Sequence, residues 1–471
     1  MVMGSLREEA EVVVIGAGPG GYVAAIRAAD LGKQVVIVEE KPKLGGTCLL
    51  EGCIPSKTLI NAVELVDRVK AAEQFGIKIN DISIDENKLR EFTKGVVDGL
   101  SGGINVLLEK RGVEIVHGRA RFQSNKSLSL EGGEVSGIDF RKAVIATGSK
   151  VAKLPMAEGL PVWYSEEALL LPRIPQRMVV IGGGYIGLEL GLVYAGLGSE
   201  ISVVEFMPHL LSGVDSDMVD VVLRRCRQKF KDIMLETKVT GIKYDGKVFK
   251  LSVEKGGKTE EMETEQVLIA VGRKPNTKDL GLEHTAVKLS ERGIIEVDEE
   301  QRTAENNIFA IGDVTAGPML AHKAAREAKV AAEVIAGHFA AFDNRAIPAV
   351  VFTDPEIAWT GLSETEAKQK GVEYEIGKFP LKALGRARTI GQTDGFVKVL
   401  SEPGSGLILG VGIVGAQASE LISEPTLALE MGATLEDLKV TIHPHPTLSE
   451  SLMEAAEVAA GEAVHIFKSR N

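Results

Sequence analysis

The sequence predicts an α/β protein: two parallel-sheet, dinucleotide-binding units followed by a separate α+β domain. Three observations carry this expectation. A strand, a glycine-rich turn, a helix and a second strand ending in an acid open the chain. The same pattern returns at a constant offset of 166 residues. Beyond about residue 346 it stops, and short strands alternate with helices. A length of 471 residues suits about three domains.

In the first unit, Glu11-Val12-Val13-Val14-Ile15 is a short buried strand running into Gly16-Ala17-Gly18-Pro19-Gly20-Gly21, which contains G-x-G-x-x-G. A helix follows through Ala24, Ala25, Ala28 and Leu31 to Gly32, and Val35–Val38 is a strand ending at Glu39. Such glycines let the backbone approach a pyrophosphate at a helix N-terminus, and Glu39 stands where an acid accepts from a ribose hydroxyl.

Gly45 to Lys57 comes next and holds two of the three cysteines, Cys48 and Cys53. In an ideal helix, residues five apart point about 140° from one another, too far apart to bridge. A bridge therefore needs a loop or an irregular turn, and Gly52 supplies a backbone that bends. Pro55 suits the first turn of a following helix with Leu59, Ile60, Val63 and Val66 on one face. Cys53 at its N-terminus, with Lys57 one turn on, favours a thiolate. Spacing alone equally fits two reduced, half-buried cysteines.

The second unit begins at Met178–Ile181. Gly182, Gly184, Gly187, Gly198 and Glu205 repeat Gly16, Gly18, Gly21, Gly32 and Glu39. Two dinucleotide sites follow, unless one copy is a degenerate structural repeat. A 2′-phosphate would need a cation after the second strand. Here Glu205 is followed by Phe206, Met207 and Pro208, and the next arginine is Arg224, so NAD is preferred to NADP.

Two apolar strands, Ala143–Gly148 and Gln266–Arg273, end alike and mark crossings between domains. Residues 240–265 alternate as an antiparallel meander. Ile308–Ile311 is a strand ending in Gly312-Asp313, whose acid suits a sugar-like hydroxyl or, equally, a helix N-cap. An alanine-rich helix covers roughly 321–336. The domain boundaries expected are 1–150, 151–275, a central segment 276–345 and 346–471.

Near the end stands His443-Pro444-His445-Pro446-Thr447-Leu448-Ser449-Glu450. A carboxylate on one ring nitrogen of His445 would raise the basicity of the other, as a thiol proton acceptor requires. The competing readings are an exposed turn with incidental histidines, or a zinc site, for which no further ligand cluster exists. Cys226 reads as an ordinary, partly buried cysteine.

A net charge of −12 argues against nucleic acid or anionic membrane as partners. No apolar run is long enough for a membrane span. Met1–Glu9 lacks the features of a signal or transit peptide, so a cytoplasmic protein is expected, or an organellar one already processed.

Together these motifs resemble the flavin-dependent disulfide reductases of the pyridine nucleotide-disulfide oxidoreductase family. The resemblance rests on the two fingerprints, Gly46-Thr47-Cys48, Gly52–Lys57, Ala146-Thr147-Gly148, Val271-Gly272-Arg273, Ala310–Asp313, Met319-Leu320-Ala321-His322, Phe352–Glu356 and His445–Glu450. It implies two Rossmann-like domains, the first holding FAD and the second NAD, and a C-terminal domain that makes a homodimer. It implies cofactor contacts at Thr47, Lys57, Thr147, Gly148, Gly272, Gly312, Met319, Leu320 and Ala321, with Asp313 on the ribityl chain and His322 near the flavin. Lys57 and Glu189 would pair beside the flavin, and His445 with Glu450 would complete the partner's site, after a His445-Pro446 bond that is cis.

The His-x-His-Pro-Thr-Leu-Ser-Glu form, Met-Leu-Ala-His and Glu205 favour members acting on lipoyl groups over those acting on glutathione. The implied reaction is oxidation of protein-bound dihydrolipoamide by NAD+ through a Cys48–Cys53 disulfide and FAD. The implied partners are lipoyl domains of 2-oxo acid dehydrogenase acyltransferases or the glycine cleavage H protein. One departure stands out: Leu49-Leu50-Glu51 where the family commonly has Asn and then Val or Arg. The extra carboxylate would be expected to raise the nearby thiols' pKa or shift their potential.

Overall fold

The computed structural model describes residues 7–467. Its first unit runs β1 (Arg7–Ile15), α1 (Pro19–Asp30), β2 (Val35–Glu39), α2 (Gly46–Glu51), α3 (Cys53–Lys70), α4 (Glu86–Glu109), β3 (Glu114–His117), β4 (Arg119–Ser124), β5 (Ser127–Glu131) and β6 (Gly137–Ile145). These strands form one sheet in the order β3-β2-β1-β6-β5-β4. Val12–Ile15 pairs in parallel with Val35–Val38 on one side and Lys142–Ile145 on the other. Near-continuous Val and Ile on β1 and β2 fit a parallel sheet covered on both faces.

After β7 (Ser149–Val151), the second unit runs α5 (Ser165–Leu169), β8 (Arg177–Ile181), α6 (Tyr185–Gly196), β9 (Glu200–Val204), α7 (Ser216–Lys229), β10 (Asp232–Met234), β11 (Lys238–Tyr244), β12 (Phe249–Lys255), β13 (Lys258–Thr264) and β14 (Gln266–Ile269). Its parallel sheet has the order β10-β9-β8-β14, and β11-β12-β13 is the expected antiparallel meander. β15 (Arg273–Pro275) pairs antiparallel with β7. The segments that follow the two apolar strands β6 and β14 therefore lie side by side as one ribbon.

β16 (Ile308–Ala310) returns to the first sheet and pairs with β6. It leads into α8 (Ala321–Ile335), whose alanines meet those of α1. A Cβ on Gly20 would sit 3.4 Å from Ala324 Cβ, and Ala24, Ala28, Ala328 and Ala331 share one buried cluster. Small residues bring these two helices close.

The remainder is β17 (Ala349–Val351), β18 (Glu356–Gly361), α9 (Glu364–Lys370), β19 (Glu375–Pro380), α10 (Gly385–Thr389), β20 (Phe396–Ser401), β21 (Ile408–Gly415), α11 (Ala418–Leu421), α12 (Ser423–Met431), α13 (Leu435–Val440) and α14 (Glu450–Ala460). Its sheet is antiparallel, β17-β18-β21-β20-β19. Among the described residues no helix is long and apolar enough to cross a membrane.

Candidate active site

A cavity of about 740 Å³ opens beside the C-terminal ends of β1, β2 and β6. Its floor is the first glycine turn. Gly16 has φ +99°, and a Cβ there would lie 2.5 Å from the Ala146 carbonyl oxygen; Gly182 repeats this at φ +111° and 2.4 Å from that of Ala270. Gly21 and Gly187 leave no room either, at 1.8 and 2.2 Å from the carbonyl oxygens of Gly16 and Gly182.

The acids repeat as faithfully as the glycines. Glu39 accepts from the backbone N–H of Ala17 (2.8 Å) and Lys41 (2.9 Å). Glu205 accepts from Gly183 (2.5 Å) and Met207 (2.6 Å), each displaced by the same 166 residues. Both turns thus have the same hydrogen-bonded form, with an acid held at the end of the second strand.

The cysteines line this cavity, and the irregular turn that their spacing calls for falls at Gly52. Gly46–Glu51 is a short helix, and the chain breaks at Gly52 before α3 begins at Cys53. Gly52 is required by space: a Cβ would meet the Thr47 carbonyl oxygen at 2.8 Å. Two helices meeting at this break bring together residues that one helix would hold apart.

Cys48 and Cys53 are free thiols, hydrogen-bonded to each other through their side chains. That bond, then burial, pushes the Cys48 thiol upward. The same bond pulls Cys53 down to about 7; burial opposes it, Lys57 adds to it and Glu189 subtracts. Glu51 is not among these causes. Its carboxylate is paired with Lys41 Nζ at 2.6 Å, and Leu49 is buried in the core.

Lys57 Nζ lies 2.9 Å from Glu189 Oε2, as anticipated, and 4.3 Å from the Phe352 ring centroid. The other Glu189 oxygen accepts from the Phe352 N–H at 2.9 Å. Asp313 accepts from Ser149 Oγ at 2.5 Å. Arg273, which sequence reasoning quoted in a motif but gave no role, donates to Ser149 Oγ and to its carbonyl oxygen at 2.8 and 2.7 Å, and reaches Thr47 Oγ1 at 3.4 Å. It lies on the wall with Lys41, Arg119, Lys150, Lys153 and Lys278. A cavity that joins a dinucleotide turn, basic side chains and a thiol pair fits a flavin dinucleotide.

Of the remaining predicted contacts, Gly18, Thr147, Gly148, Gly312, Met319 and Ala321 also line the cavity. Gly21 is packed inside the turn. Leu320 and His322 are not on the wall, and the His322 ring donates to the Pro348 carbonyl at 2.7 Å instead. Gly184, Glu205 and Gly272 also lie outside this cavity, at the second unit's own turn.

His445 Nδ1 is 2.8 Å from Glu450 Oε1, and the His445-Pro446 bond is cis. Neither side chain lines the cavity of its own chain. Two further pairs escaped the sequence reading, His443 with Glu424 (2.8 Å) and His465 with Glu454 (2.5 Å). Their partners are 19 and 11 residues apart, so no local signal marks them. Cys226 is fully buried, and burial pushes its thiol up to about 12, so it stays inert.

Comparison with known proteins is consistent along the whole chain. The family described as pyridine nucleotide-disulphide oxidoreductase matches residues 10–328, and its dimerisation domain matches 347–456. Dihydrolipoyl dehydrogenase of Geobacillus stearothermophilus is 46% identical over 468 residues, 99% of either chain. That of Haloferax volcanii is 45% identical over 473 residues, again 99% of either. Among solved structures, LpdA of Mycobacterium tuberculosis gives a TM-score of 0.87 at 27% identity, covering 96% of this chain and 99% of that one. An HOCl-induced flavoprotein disulfide reductase of Escherichia coli, RclA, as its Cu(II) complex, gives 0.85 at 27% identity, covering 96% and 99%.

Proposed function

The chain belongs to the pyridine nucleotide-disulphide oxidoreductase family, and from that premise we propose that it oxidises protein-bound dihydrolipoyl groups to the disulfide and reduces NAD+. One observation supports this above the others. Two adjacent thiols of opposite acidity share a cavity wall with a dinucleotide turn. FAD bound in the cavity supplies the two-electron relay between the dithiol and NAD+.

The residues divide the thiol chemistry as follows. His445, oriented by Glu450, takes a proton from one substrate thiol. The resulting thiolate attacks Cys48 of the Cys48–Cys53 disulfide, and Cys53 leaves as a thiolate beside Lys57. The second substrate thiol attacks the substrate sulfur of the mixed disulfide and expels Cys48, which takes up a proton. Two electrons have then moved from substrate to the pair, and the two substrate protons rest on His445 and Cys48. Glu189 keeps Lys57 in place, and Glu205 after the second turn favours a free ribose hydroxyl, hence NAD.

His445 and Glu450 lie off their own chain's cavity; in this reading they serve the second subunit of a homodimer, which the matched dimerisation domain supports. The lipoyl group comes from an acyltransferase lipoyl domain or a glycine cleavage H protein.

Steady-state turnover decides the matter. NAD+ with dihydrolipoamide is expected to exceed NADPH with glutathione disulfide, and the reverse order would sink the lipoyl assignment. Cys48→Ser is expected to abolish thiol–disulfide exchange while the yellow flavin stays bound; flavin loss would mean that Cys48 builds the cofactor site.

A further inference from the structure

The turn His443-Pro444-His445-Pro446 carries two histidines whose rings are bonded differently. His445 uses Nδ1 on Glu450, and its side chain is 78% exposed. His443 is 4% exposed and both of its nitrogens are engaged. Its Nδ1 lies 3.0 Å from the Thr441 carbonyl oxygen and its Nε2 lies 2.8 Å from Glu424 Oε1. A carbonyl oxygen only accepts, and so does a carboxylate. Each ring nitrogen of His443 therefore faces an acceptor, a carbonyl oxygen at Nδ1 and a carboxylate at Nε2.

Among the described residues, this is the one hydrogen bond that ties residues 441–449 to an element outside α13 and α14. Glu424 stands in the first turn of α12. The charge also reaches the neighbouring pair. Burial raises the Glu450 carboxyl, but hydrogen bonds from His445 and the Thr447 N–H, with the positive fields of His445 and His443, hold it below its ordinary value.

We propose that His443 is a positioning residue: clamped as an imidazolium to Glu424, it fixes the turn that presents Nε2 of His445 and places a positive charge near Glu450. Glu424 on α12 and Glu450 on α14 are the charged groups it faces. The proposal rests on His445 being the proton acceptor. A misplaced acid–base group costs up to about 100-fold, so a loosened turn stands between that loss and none.

The test compares His443→Ala, Glu424→Gln and His445→Gln in the flavin-loaded full chain. His443→Ala is expected to lower kcat for dihydrolipoamide about 10-fold, to shift its pH profile, and to speed hydrogen exchange at the Thr447 amide. Glu424→Gln keeps an acceptor for Nε2, so it is expected to lose less. Nitrogen-15 spectra of labelled histidine are expected to show His443 protonated on both nitrogens in the resting enzyme.

A His443→Ala enzyme that melts earlier but keeps the wild-type pH profile and Thr447 exchange would reduce His443 to a structural role. A singly protonated His443 would overturn the clamp even if that variant fails to fold. Retained turnover in His445→Gln would instead overturn the functional reading itself. Loss of turnover there with a silent His443→Ala would overturn only the present inference.

Discussion

The two thiols of the pair hold their protons unequally. Cys48 donates toward Cys53, and Lys57 lowers Cys53 further, so the first proton of the reduced pair leaves from Cys53 at about pH 7. Lys57→Met removes that cation and frees Glu189, whose charge opposes the thiolate. Both changes act in one direction. The thiolate titration of the reduced enzyme, followed by ultraviolet absorbance, is expected to move up by roughly one to two pH units. Glu51→Gln is expected to leave it in place, because the Glu51 charge is already matched by Lys41. A Glu51→Gln shift as large as that of Lys57→Met would restore the direct influence that the geometry denies.

The redox pair is aligned by the crossing of two helices. α3 carries Cys53 and Lys57, and α6 carries Glu189. Further along, Leu59, Ile60 and Val63 join Leu188, Leu192 and Val193 in one buried cluster. At Gly196 the helices leave no room for a side chain: a Cβ there would lie 2.1 Å from Val63 Cγ1. Alanine is favoured over glycine in a helix by about 1 kcal/mol, but overpacking a filled contact costs about 1–3 kcal/mol, and β-branched Val63 has little freedom to yield. Gly196→Ala is therefore expected to lower the denaturant midpoint and to reduce kcat as Lys57 is displaced from Glu189. A rise in stability at unchanged kcat would show that the helices have slack.

This contact was invisible in the sequence, whereas the two turns were not, and the reason is physical. The Gly16 and Gly182 turns announce themselves because their positive φ and their missing Cβ demand glycine at fixed spacing. Gly196 meets a residue 133 positions away, and nothing local encodes that. The long helix α4 hid for the opposite reason: its Gly95, Gly99, Gly102 and Gly103 oppose helical propensity, while Val97, Ile104 and Leu108 pack into the core and prevail. His445 and Glu450 were legible because they lie five residues apart, and His443 with Glu424 was not.

At the scale of the whole molecule, the last sheet is locked to the second unit by one buried lysine. Lys398 on β20 is 1% exposed, and its Nζ lies 2.8 Å from Asp215, 2.9 Å from Asp217 and 2.9 Å from Glu364. The carboxylates come from both sides, Asp215 and Asp217 from the start of α7 and Glu364 from α9. These three acids are the described residues nearest to a metal-binding arrangement, and the ammonium group occupies their centre. Removing one member of such a set leaves uncompensated buried charge, which costs about 3–5 kcal/mol. Lys398→Met is therefore expected to destabilise strongly and to loosen the last sheet from the second unit before either unfolds, as amide exchange at Glu364 and Thr365 would report.

The pH dependence follows from the same groups. Burial alone would raise Asp215 and Asp217, but hydrogen bonds from Lys398 and Thr365 at Asp215, and from Lys378 and Lys398 at Asp217, outweigh it, and both carboxyls fall below their ordinary value. A depressed carboxyl stabilises the fold above its unfolded value of about 3.9 and loses that contribution as pH falls through its folded value. Wild-type stability is accordingly expected to drop below about pH 4, in a step that Lys398→Met makes smaller. An acid limb equally steep in both proteins would place the acid sensitivity elsewhere in the molecule.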